Sequence, residues 1–340
     1  MKIDIVCNDG SPLAVTMNSI YGDDGRVGIG GAEIALLTMC EAWTNAGHEV
    51  VLYNDPDTYD VPPFAQRQMN EFVKDAPRDV VITFRSVNNR TIGANGLHVW
   101  WSTDQKAVGD FKAFAPQVDK IVTISDYHAE FFKNQYAIEN TIVVDLPVRV
   151  DDYDQEIAKV PGRCIFTSVP ARGLTEMKAV WPRIKALYPE TSLVITSDYR
   201  LWGTKHPSND AFRIEWDNQE GVTFMGAIPR RELVVEEMKA QVLSYTCIYD
   251  ELFCISVAEA QVAGAYPITS GIGAVATTNM GTVIPGSPQN NDWQTEFAKA
   301  VTDTLANPDL STMQEEVKQL ALKRFDPKTI VAQWDEKVFK

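Results

Sequence analysis

Short apolar runs rich in β-branched residues alternate with segments of helical period along most of the chain, and few folds are compatible with that alternation. The runs IDIVC (3–7), EVVLYN (49–54), DVVITF (79–84), LHVWW (97–101), KIVTIS (120–125) and TIVVDL (141–146) read as buried strands. Between the first two, Ala35, Leu36, Met39 and Trp43 recur at helical spacing and predict a helix over 32–46, which Gly47 ends. A polar, proline-bounded stretch at 147–162 reads as a linker. The pattern then restarts with strands at 163–168, 192–197, 222–226, 242–246 and 265–270, and helices over 173–187, 230–240 and 253–263. Helices over 291–306, 312–324 and 327–339 complete it. Strands alternating with helices imply parallel sheets covered on both faces, and 340 residues suffice for two such cores. Ligands of these sheets sit beyond the C-terminal strand ends, and two facing halves make a cleft.

Composition narrows the partners. Acidic residues outnumber basic ones, 46 to 31, for a formal charge of −15. No Lys/Arg cluster offers the basic face that a phosphate backbone or an anionic bilayer needs, so nucleic acid and membrane surfaces are disfavoured. A small anion needs only one or two cations and some backbone N–H groups. No apolar run is long enough to cross a bilayer, so no transmembrane segment is expected. The opening MKIDIVCNDG is strand-like and lacks the apolar core of a signal peptide. The five cysteines are scattered, with no CxxC, which argues against disulfides and zinc and for a reducing, cytoplasmic setting. No HExxH or GxSxG occurs, and His48 and His98 read as structural.

Four motifs carry candidate chemistry. GIGGAE at 28–33 opens the first helix. Its glycines, Gly30 and Gly31 among them, let a phosphate approach the helix N-terminus; a tight turn with ordinary packing fits equally, and the spacing is not GxGxxG. SVPARGL at 168–174 sets Arg172 near a helix start, where a guanidinium can fork onto a diphosphate, the plainer alternative being a surface arginine. In ELFCISVAE, Glu251 precedes a helix that starts near Phe253 and Cys254, and Glu259 lies about two turns in. One carboxylate can accept hydrogen bonds from sugar hydroxyls while the other reaches a ribose, and helix N-terminal amides between them can face phosphates. A solvated pair eight residues apart is common, but apolar neighbours favour partnered carboxylates. GIGAVATT at 271–278 follows a strand, and there Gly273 either builds a backbone nest or simply turns the chain.

Together these segments resemble the GT4-type family of retaining glycosyltransferases. The likeness is carried by Gly30-Gly31-Ala32-Glu33, by Ala46-Gly47-His48-Glu49-Val50, and by the run from Met225 to Leu233. The Glu251/Glu259 pair and Ala263-Gly264-Ala265-Tyr266-Pro267 extend it, and the ending from Arg324 to Trp334 is similar to the family's last helix. The resemblance implies a GT-B fold, two Rossmann-like α/β domains facing each other across a cleft. Residues 1–150 would form the acceptor side, joined by a helix at 325–340, and 151–324 would form the donor side. It further implies that Glu251 holds donor-sugar hydroxyls, Glu259 the ribose and Arg172 the diphosphate, with Phe253 and Cys254 at the donor helix start. Gly30 and Gly31 would face the donor phosphates, and Gly226-Ala227-Ile228 would border the base. Two departures stand out. One of the family's two diphosphate cations is lost within Ser168-Val169-Pro170, with Lys178 and Arg163 as possible substitutes. The family's mid-domain His is replaced in Trp101-Ser102-Thr103-Asp104, where either Asp104 covers part of its role or the acceptor is unusual.

The expectation is a hexosyltransferase that needs neither metal nor cofactor. It would move a sugar with retention from a UDP- or GDP-sugar to a hydroxyl of a glycan, a lipid-linked acceptor or a small molecule. A catalytically inactive GT-B protein that binds a nucleotide or glycan is the principal alternative. A dehydrogenase and a transferase acting on nucleic acid are disfavoured by the missing dinucleotide fingerprint and by the charge.

Overall fold

The computed structural model describes residues 1–7, 14–57, 63–202 and 208–340. The chain forms two compact units. The first comprises Met1–Asp24, Gly30–Pro147 and Phe325–Lys340, and the second Gly25–Ile29 and Val148–Arg324.

Strands of unit 1 are β1 (Lys2–Val6), β2 (Glu49–Tyr53), β3 (Ala65–Arg67), β4 (Val80–Phe84), β5 (Leu97–Trp101), β6 (Lys120–Thr123) and β7 (Thr141–Val143). Among the described residues they make one sheet in the order β3-β2-β1-β4-β5-β6-β7, parallel throughout. All five residues of β4 are buried, as an apolar run covered on both faces requires. The helix Gly31–Asn45 turns Leu36, Met39, Cys40 and Trp43 inward. The C-terminal segment packs on this unit through a tryptophan cluster. Trp334 stands edge-on to Trp43, with centroids 5.1 Å apart, and to Trp101 at 5.3 Å. Its helix starts at Pro327, behind the Asp326 cap, which accepts from Lys328 N at 2.7 Å. The helical run expected over 327–339 is α-helical over Pro327–Gln333 and then widens to a π-turn over Trp334–Val338.

Unit 2 repeats the plan with β8 (Arg163–Thr167), β9 (Ser192–Thr196), β10 (Val222–Phe224), β11 (Val242–Tyr245), β12 (Tyr266–Ser270) and β13 (Thr282–Ile284). The order is β10-β9-β8-β11-β12-β13, again all parallel. Its core includes Phe166, Trp181, Trp216, Tyr245 and Phe297. The short strands β3 and β13 carry no clear apolar run and are additions to the sequence pattern. Among the described residues no helix is long and apolar enough to cross a membrane.

Candidate functional site

In unit 2 the chain winds outward from β8 through β9 to β10 on one side, and from β11 through β12 to β13 on the other. A crevice opens beyond the C-terminal strand ends at such a reversal. Three of the four sequence motifs leave these ends, after β8, β11 and β12. Sheet order therefore gathers segments that lie about a hundred residues apart in the chain.

Two glycines lock the loops together. Gly173 has φ 112°, and a Cβ there would collide with the Thr246 carbonyl, while Thr246 Oγ1 donates back to the Gly173 carbonyl at 2.7 Å. Gly273 has φ 60°, and a Cβ there would stand 2.6 Å from the oxygen and 2.7 Å from the nitrogen of Glu251. Ala274 N completes the seam by donating to the Glu251 carbonyl at 2.7 Å. Arg172, Glu251 and Gly273 are thereby brought to one place.

Arg172 Nε lies 3.5 Å from Glu251 Oε1, and the two side chains are 18% and 17% exposed. The Arg172 guanidinium carbon stands 3.3 Å over the Tyr249 ring. The Tyr245 hydroxyl lies 3.3 Å from both Glu251 Oε1 and Ser168 Oγ. Burial raises the Glu251 carboxyl above its usual range, and Arg172 and the Tyr245 hydroxyl pull it partly back. Burial also pushes the Cys247 thiol up to about 12 and raises Cys254 well above its usual value, so neither sulfur is a ready nucleophile. What this corner offers is a guanidinium, a shielded carboxyl and close-approaching backbone.

The other predicted donor residues divide. Phe253 and Cys254 have buried side chains, 2% and 6% exposed, so they can reach a ligand only through backbone. Cys254 takes the left-handed φ of 76° just before the helix Ile255–Val262. Glu259 lies on that helix but is enclosed. Its Oε1 accepts from Arg230 Nη1 at 2.7 Å, and Arg230, 3% exposed, also donates from Nε to Asp152. Tyr153 donates to Glu237 Oε2 beside this pair, at 2.7 Å. Gly226 and Ile228 follow β10, two strands from β8 and so roughly 10 Å along the sheet edge. There Ala227 N approaches Asp198 Oδ2 at 3.4 Å, and Asp198 also accepts from Arg200. Neither proposed substitute cation joins Arg172. Lys178 pairs with Glu215 at 3.1 Å on an exposed face. Arg163 opens β8, at the opposite end of the strand, and pairs with Glu236 at 2.8 Å.

Unit 1 holds its own cluster at the equivalent reversal, between β1 and β4. Gly30 caps the helix that Gly31 starts, and the Glu33 carboxylate from the first turn sits beside Gly30. Arg85, directly after β4, donates from Nη1 to Glu33 Oε1 at 2.9 Å, and its Nε lies 2.6 Å from Asp104 Oδ2. Arg85 has φ 63°, a conformation that costs a non-glycine residue roughly 1–3 kcal/mol. Its backbone is held by Trp101 O at 2.8 Å and by Trp100 Nε1 at 3.1 Å. The sequence pointed to Asp104 and missed Arg85, whose one visible signal was a charge at the end of an apolar strand. Tyr249 was missed in the same way, and Arg230, though it lies within the run from Met225 to Leu233, was given no role.

The whole chain is similar to solved GT-B glycosyltransferases. Sucrose-phosphate synthase from Thermosynechococcus elongatus superposes with a TM-score of 0.72 at 16% identity, covering 98% of this chain and 97% of that one. HepE from Anabaena, solved with UDP and glucose, gives 0.69 at 14% identity, covering 99% of each chain. AviGT4, a glycosyltransferase involved in avilamycin A biosynthesis, gives 0.67 at 16% identity, covering 98% and 96%. No protein-family model matches the chain, and no curated protein matches it. The fold is GT-B, built from two parallel-sheet α/β units.

Proposed function

We propose that the chain is a GT4-type retaining glycosyltransferase that moves a hexose from a UDP- or GDP-sugar to a hydroxyl acceptor. The observation that carries this is the meeting of Arg172, Glu251 and Gly273 beyond the strand reversal of unit 2. A leaving diphosphate gains negative charge as the glycosidic bond breaks, and a fixed guanidinium in a partly dry corner stabilises that charge. Glu251, buried but reachable, accepts hydrogen bonds from sugar hydroxyls. Glu259, anchored by Arg230, stands on the ribose side, and Gly226 and Ile228 border the base. With Arg172 and backbone amides at the diphosphate, neither a metal nor a cofactor is invoked. Asp104 serves the acceptor hydroxyl from unit 1. That HepE was solved with UDP and glucose supports a nucleotide-sugar donor.

One observation favours a second reading, a GT-B protein that binds nucleotide or glycan without turnover. Asp104, which stands in for the family's His, lies against Arg85. A panel of nucleotide sugars separates the two. The transferase reading predicts donor hydrolysis or transfer, and predicts that Glu251→Ala abolishes it while leaving nucleotide affinity within about threefold. Full activity in that variant refutes the site, and tight binding with no turnover in the native protein establishes the second reading.

A further inference from the structure

Arg172 differs from Arg78, Arg85 and Arg230 in how it is held. Each of those three has a carboxylate oxygen at 2.7 Å or less. Arg172 has its carboxylate at 3.5 Å, beyond the usual charge-assisted distance, and its buried Nη1 has no hydrogen-bond partner among the described residues. Its close restraint is the Tyr249 ring, 3.3 Å from the guanidinium carbon. Guanidinium donors lie in the plane of the group, whereas a ring stacks on its face. A stacked aromatic therefore fixes an arginine while leaving its N–H groups open. The backbone that carries the ring is held, because the Tyr249 carbonyl accepts from Glu251 N at 2.7 Å and from Cys247 Sγ at 3.3 Å.

We propose that Tyr249 is a positioning residue that holds Arg172 ready for the diphosphate of a nucleoside-diphosphate ligand. The inference rests on the function proposed above. It makes the ring, not the hydroxyl, the working part of Tyr249, and it concerns the phosphates rather than the nucleoside.

The test is calorimetric titration of the full chain with UDP, GDP, uridine and guanosine, comparing native protein, Tyr249→Phe, Tyr249→Leu and Arg172→Ala. Tyr249 is 38% exposed, so its variants should fold. The expected result is that Phe binds the diphosphates within about twofold of native, that Leu weakens them about tenfold, and that nucleoside binding stays unchanged. Diphosphate binding that survives Tyr249→Leu but not Arg172→Ala overturns the role of Tyr249 and leaves the proposed function standing. Equal loss of nucleoside and diphosphate in Tyr249→Leu also overturns it, as general disruption of the loop. A native protein that binds neither diphosphate overturns both.

Discussion

Glu237 sits within the helix Arg230–Lys239 with none of its surface exposed. Burial, reinforced by the nearby Glu259 carboxylate, raises its carboxyl from 4.5 to about 8. Between those values the folded chain keeps a proton that the unfolded chain has released. The stability tied to that proton is therefore whole below the unfolded value and is lost as pH rises through the folded one. Each pH unit inside the window is worth about 1.4 kcal/mol, so the loss from pH 5 to pH 8 reaches roughly 4 kcal/mol. Glu237→Gln has no proton to lose and should abolish this slope. Urea unfolding of both proteins at pH 5, 6.5 and 8, followed by circular dichroism, measures it. The quantity to read is the change with pH in the difference between variant and native, because a constant offset from an imperfect amide fit cancels. That difference should move in favour of the glutamine by about 2–4 kcal/mol from pH 5 to pH 8. A difference that stays flat to within about 0.5 kcal/mol would show Glu237 ionised in the fold and defeat the reasoning.

Gly273→Ala forces a Cβ against the Glu251 backbone at a left-handed φ, so it should lower stability by roughly 2–4 kcal/mol and reduce nucleotide-sugar turnover. Unaltered turnover with unaltered stability would show that the seam between the two loops is loose. Trp334→Ala removes the centre of the Trp43, Trp101 and Trp334 cluster, at a cost of about 3–5 kcal/mol. Limited proteolysis should then cut the segment after Phe325 first, and protection equal to native would contradict its anchoring role.

The strands were legible where burial on both faces demands an unbroken apolar run, as in Val80–Phe84. Ala65–Arg67 left no such trace, because a three-residue edge strand with exposed and half-buried side chains needs no apolar pattern. In the candidate site, the loops that carry Arg172, Glu251 and Gly273 could be read locally, since glycines and strand ends are local signals. The partners could not. Arg85 and Glu33 lie 52 residues apart, and Arg230 and Asp152 lie 78 apart. Asp152 and Tyr153 even fall in a stretch that reads as a polar linker, yet they are tied to the helix Arg230–Lys239. Only the parallel sheet order and the packing of helices upon it make such pairs adjacent. The same holds for Glu259, whose spacing from Glu251 is plain in the sequence but whose enclosure by Arg230 is not.

A crystal of the protein soaked with UDP or GDP locates the nucleotide. The diphosphate should lie against Arg172 and the loops after β8 and β12, with the ribose toward Glu259 and the base beside Gly226 and Ile228. A nucleotide bound elsewhere, or phosphates that leave Arg172 untouched, would contradict the proposed donor site.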